Sequence, residues 1–213
     1  MFLATVESLA DDEMAVPSLC EGWTRADVIA HVASSGRALV KLIDWAASGE
    51  ERPLYASREA RAAEIAALAA LPREELIREV RDSAQNFAEQ ARRLSGELAA
   101  TEVQLNGKPL PATSIVALRI AEVVVHHHDL NTAWTIEEAD PDSLLNALEA
   151  VVRSLRGKGA PGMTLVTEER DEWVIGDGGL RVASDREGLL QWLARGDAEH
   201  IDVEGPVPAL PAW

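Results

Sequence analysis

A carboxylate and an imidazole four residues apart, Glu122 and His126, stand in an otherwise apolar run, SIVALRIAEVVVHHHDL. On a helix, positions i and i+4 lie one turn apart on the same face. At about 100° per residue, Glu122, His126 and Asp129 fall within about 60° of one another. Ile115, Leu118 and Val125 share that face, so the helix turns a carboxylate and an imidazole toward an apolar interior. An unpaired carboxylate is expensive to bury, and Glu122 therefore needs a cationic partner. A divalent metal is one such partner, and bundle cores build metal sites from facing helices in this way. Taken alone, E-x-x-x-H also fits an ordinary Glu–His hydrogen bond or a solvated helix face.

The other histidines narrow the choice. Four of the five are His31 and the run His126-His127-His128. Neighbours in that run point about 100° apart, so His126 shares the Glu122 face while His127 points away and is expected to pack. His128 is left as an outer partner of the site or a solvent-facing group. His31, on the helix that follows the Gly22-Trp23-Thr24 turn, is the natural third ligand, although a lone helical histidine is often structural. Cys20 has Glu21 beside it, which raises a thiol pKa, and it reads as structural. Trp23 is expected to pack against the first turn of the helix it precedes. No H-E-x-x-H occurs, which argues against a zinc protease, whose general base lies between its histidines.

Helices position these groups. Thr24 resembles an N-cap with Asp27 three residues on, opening a helix that ends near Gly49. Residues 57–70 are alanine-rich and helical. Pro72 suits a first helical position, with Glu74 and Glu75 in the first turn. A loop with Asn106-Gly107 follows, then the apolar helix at about 113–130. A helix hydrophobic on nearly every side belongs at the centre of a bundle. A last bundle helix starts near Asp140-Pro141 and stops at Gly157. Beyond the linker GKGAPG come strand-like runs MTLVTEE, EWVIG, LRVAS and HIDVEG, and a short helix, REGLLQWLAR, with Ser184 and Glu187 as its capping box. The fold class expected is α+β: a helical bundle over residues 1–157 and a small α/β domain over 158–213.

The chain has 213 residues, 47% of them hydrophobic, enough for a substantial core. Its net charge of −16 repels nucleic-acid phosphates and anionic membranes. An anionic substrate would need local positive charge supplied by the site itself. A single cysteine, and a start that turns acidic without a signal-like apolar run, lead us to expect a cytoplasmic protein.

GWTRADVIAH, residues 22–31, resembles the GWT-x-x-x-V-x-x-H signature of the mycothiol-dependent maleylpyruvate isomerases, and AEVVVHHHDL, residues 121–130, resembles their E-x-x-x-H-H-x-D-L segment. Order, separation and helical placement match, and the C-terminal module is similar to the family's small second domain. The resemblance implies a DinB-like up-down bundle binding a divalent metal, usually zinc, through His31, Glu122 and His126. Two nitrogens and a carboxylate suit Zn²⁺ with a coordination position left open. Val124 stands where the family often has a further acidic residue, which is not a ligand position. The family's catalytic arginine maps to Arg195, after the helix carrying Trp192, with Ala194 in place of the glycine that often precedes it. By its position alone Arg195 also fits a cation at a helix C-terminus, and Arg181 is the fallback.

The reaction so implied is cis–trans isomerisation of a maleylpyruvate-like unsaturated keto acid to its fumarylpyruvate form. The thiolate of mycothiol adds to the conjugated carbon, the former double bond rotates, and the thiolate leaves. The metal favours the thiolate, and an arginine holds a substrate carboxylate or the enolate. The same residues also fit a mycothiol S-transferase acting on another electrophile, or a non-catalytic metal-binding protein.

Overall fold

The computed structural model describes residues 1–213. The chain forms two compact units, Met1–Trp134 and Thr135–Trp213. The first is built around one long helix, Arg25–Ser48 (α2), preceded by a short helix, Phe2–Ser8 (α1). Thr24 caps α2 in the expected box: its side chain accepts from the Asp27 amide, and the Asp27 carboxylate accepts from the Thr24 amide at 2.9 Å. Gly49, at φ 75°, ends the helix in the left-handed conformation that glycine adopts at least cost.

The helices Arg58–Ala69 (α3), Arg73–Ala91 (α4) and Ile115–Asp129 (α5) all pack on α2. Two apolar clusters divide its length. Near its start, Val28, Ile29 and Val32 meet Leu76, Ile77 and Val80; further on, Leu39, Leu42 and Ile43 meet Phe87, Val103 and Ile115. Pro72 caps α4 from just outside instead of opening it.

The loop expected around Asn106-Gly107 is a β-hairpin. Glu102–Leu105 (β1) and Lys108–Pro111 (β2) pair antiparallel across a two-residue turn in which Asn106 and Gly107 have φ 51° and 75°. That turn needs positive φ at both positions, which Asn-Gly supplies.

The second unit begins with α6, Pro141–Lys158, capped by the Asp140 side chain. Met163–Thr167 (β3), Glu172–Ile175 (β4), Leu180–Ser184 (β5) and Asp202–Val203 (β6) form a sheet in the order β4-β3-β5-β6, with only β3 and β5 parallel. Arg186–Arg195 (α7) packs on α6. The boundary was expected at 157/158, with α6 in the bundle. Instead the division falls at 134/135, and α6 is pinned to the sheet: Trp173 Nε1 donates to Glu149 at 2.9 Å and Arg156 to the Val174 carbonyl at 2.8 Å. The cap of α7 also differs by one residue. Asp185, not Ser184, accepts from Gly188, because the Ser184 hydroxyl is committed to the His200 carbonyl. No helix is long and apolar enough to cross a membrane.

One glycine sets how closely α2 meets α4 and α5. A Cβ at Gly36 would stand 2.5 Å from Ser83 Oγ and 3.1 Å from the Arg119 guanidinium. Ser83 is not free to yield, since it is buried and donates to the Ala33 carbonyl at 2.7 Å. Gly36→Ala therefore costs about 1–3 kcal/mol in overpacking, plus about 1 kcal/mol if the Ser83 bond breaks. The better helix propensity of alanine returns only about 1 kcal/mol. A lowered denaturant midpoint, with the slope unchanged, is the expected result.

Candidate metal centre

The capped start of α2 carries His31 and the middle of α5 carries Glu122 and His126, all three on the packed faces of the two helices. Glu122 Oε2 lies 3.0 Å from His31 Nε2 and 3.7 Å from His126 Nε2. The two imidazoles meet edge to face, with centroids 4.5 Å apart. For a tetrahedral ion with bonds of about 2.0–2.1 Å, neighbouring donor atoms stand roughly 3.3 Å apart, and the two measured separations bracket that value. Glu122 Oε2 is buried and makes no aligned hydrogen bond. A buried carboxylate oxygen left so is costly, and a cation between the three donors would satisfy it. The residues fit a divalent ion.

The surroundings hold the donors in place. The other nitrogen of His126, Nδ1, lies 2.7 Å from Asp129 Oδ2, and Asp129 is fully buried. A carboxylate behind a histidine fixes the ring and leaves Nε2 to face the metal. Trp23 packs edge-on against the His31 ring with centroids 5.5 Å apart. Cys20, His126 and Asp129 also bring donor atoms within 4.8 Å of one another. That second set competes for His126 with its own orienting carboxylate, whereas the first meets it through the nitrogen that Asp129 leaves over.

Two arginines absent from the expected site belong to it. Arg61, on α3, brings its guanidinium to 3.1 Å from His31 Nδ1 and lies over the Tyr55 ring. Arg119, one turn before Glu122 on α5, is buried and donates to the Val32 carbonyl at 2.7 Å and to Ser35 Oγ at 3.2 Å. Burial lowers its pKa to about 10, against the raising effect of Glu122, so it stays charged at neutral pH. Burial pushes Glu122 upward, yet the close His31 imidazole, His126 and Arg119 outweigh it and hold the carboxyl at about 2. His31 is lowered chiefly by burial, with Glu122 opposing. An ionised carboxylate beside a neutral imidazole is the protonation state that binds a metal.

Residues 1–131 match the domain family described as the mycothiol maleylpyruvate isomerase N-terminal domain. The chain belongs to this family. Among solved structures it is similar to a mycothiol-dependent maleylpyruvate isomerase and to a histidine-to-alanine mutant of that enzyme. Each is 27% identical, with TM-score 0.79, over 100% of this chain and 91% of the other. No curated protein matches the chain. The fold is thus the α+β architecture of the maleylpyruvate isomerases, including the C-terminal unit that lies beyond the matched domain.

The remaining histidines of the family segment separate as their directions on α5 require. His127 packs: it is buried, stacks on Trp134 at 3.7 Å and meets Thr5 Oγ1 at 2.8 Å. His128 is half-buried. Arg195 is the last residue of α7, with its guanidinium over the Trp213 ring at 5.7 Å and one N–H on the Ala194 carbonyl. Arg181 is exposed on β5.

Proposed function

We propose that this chain is a mycothiol-dependent cis–trans isomerase of a maleylpyruvate-like unsaturated keto acid, with a divalent ion, most simply Zn²⁺, held by His31, Glu122 and His126. The observation that carries the proposal is the convergence of two imidazole nitrogens on a buried, otherwise unsatisfied carboxylate oxygen, in a chain of this family. When bound, the ion supplies an open position that favours a thiolate, and mycothiol supplies the sulfur nucleophile. Asp129 orients His126, and Arg119 offsets the charge of Glu122 from the side of α2. Burial of the donors excludes water, so each charge in the site acts at low dielectric. Arg195, which matches the family's catalytic arginine, is the cation proposed for a substrate carboxylate or the developing enolate, a role its planar fork suits.

Two measurements test this. Cobalt-substituted protein should develop a sulfur-to-metal charge-transfer band when mycothiol is added; an unchanged spectrum at saturating thiol defeats the assignment. The metal-loaded protein with mycothiol should convert maleylpyruvate to fumarylpyruvate without consuming thiol. Accumulation of a stable thioether conjugate would make the protein an S-transferase instead. Cys20→Ser should leave turnover nearly intact.

A further inference from the structure

A half-open pocket of about 350 Å³ lies among α2, α3 and the tip of the β1–β2 hairpin. Its lining includes Trp45, Tyr55, Arg58, Arg61 and Asn106, with Glu51 as the acidic member. Arg61 is common to pocket and metal centre: it lines the one and touches His31 Nδ1 in the other. The volume is at the small end of ligand pockets, which run from about 300 to 1,000 Å³, and suits a small acid.

The charge pattern points to what enters it. In a chain of 36 acidic and 20 basic residues, seven of the 17 arginines pair with a carboxylate. Arg25, Arg37, Arg52, Arg73, Arg81 and Arg93 of the first unit each pair with one. Arg58 and Arg61 pair with none, and Arg61 instead meets the His31 ring nitrogen and the Tyr55 face. Arg58 also stands in the first turn of α3, where the helix dipole disfavours a cation. Ion pairing accounts for neither guanidinium, and the helix dipole does not favour Arg58. A guanidinium presents N–H donors in a fork that matches a carboxylate, and the contact of Arg61 with the His31 ring engages at most one of its N–H groups.

We propose that this pocket is a carboxylate subsite, in which Arg61, assisted by Arg58 at the rim, holds one end of a small aliphatic dicarboxylate beside the His31 side of the metal centre. This deepens the isomerase assignment and rests on it for the identity of the substrate, a keto acid with a carboxylate at each end. Arg61 selects dianions.

Calorimetric titration with maleate, a cis dicarboxylate, and with its dimethyl ester tests the subsite. Both the metal-loaded and the chelator-treated protein are used, without thiol. Native protein should bind maleate and not the ester. Arg61→Gln, which keeps a polar partner beside His31 Nδ1 but removes the charge, should weaken maleate binding about 10- to 100-fold in both metal states. Arg58→Gln should weaken it less, and Arg78→Gln, exposed on α4, should not change it. The proposal falls if native protein binds no maleate, or if Arg61→Gln binds it as native does in the chelated state. It falls equally if the ester binds as well as the acid. Arg61-dependent maleate binding without isomerisation would remove the isomerase assignment and leave the subsite standing; isomerisation with Arg61-independent binding would do the reverse.

Discussion

Glu122→Ala protein is expected to bind its divalent ion more than about 100-fold more weakly than the native chain, and to lose thiol-dependent turnover with it. Even partners one shell beyond a metal account for about 10- to 100-fold in affinity or activity, and Glu122 is the proposed donor, between His31 Nε2 at 3.0 Å and His126 Nε2 at 3.7 Å. His31→Ala and His126→Ala should follow it, because each removes one of three donors. Metal content by elemental analysis after dialysis, with far-UV circular dichroism as the folding control, reads the effect. His127→Ala is the contrast. It removes a stacked, buried ring bonded to Thr5, so it should lower stability while leaving the ion in place. Full metal retention in all three donor variants would end the assignment.

Arg195→Ala should lower turnover roughly 30- to 1000-fold, while metal content and thiol affinity stay near native values. That range is about 2–4 kcal/mol of transition-state stabilisation, the usual yield of one charged donor at a developing negative charge. Arg195→Lys should recover only part, since an ammonium cannot reproduce the planar fork. The contact with Trp213, 5.7 Å from the guanidinium to the ring centroid, gives a second lever. Trp213→Ala should reduce turnover less than Arg195→Ala does, by loosening the arginine without removing it. Unchanged single-turnover rates in Arg195→Ala would assign that residue to the end of α7 alone, and Arg181 on β5 would be the next to test.

The helices were legible wherever local chemistry was unopposed. Thr24 and Asp27 close the box that starts α2, Asp140 caps α6, and the direction of each histidine on α5 follows from the angle between neighbours on a helix. Local signals misled where a side chain had a better distant partner. Ser184 gave up the cap of α7 to Asp185 because its hydroxyl is bound to His200. The hairpin at Asn106-Gly107 carried its turn signal in plain view, but its four-residue strands are too short to show an alternating pattern beside two prolines.

The sequence by itself brought forward the candidate donors, because the i, i+4 spacing of Glu122 and His126 is a property of one helix and the two family segments point to His31 as their partner. It also determined the α+β class, through the change from helical to strand-like periodicity after residue 157. Only the tertiary structure decided which unit α6 joins, since its apolar stripe suits a bundle or a sheet equally and packing alone chooses. Only the tertiary structure, too, brought Arg61 from α3 to the His31 ring and Arg119 beneath Glu122. A surface-looking arginine and a buried one have the same letter, and what separates them is the neighbour that the fold supplies.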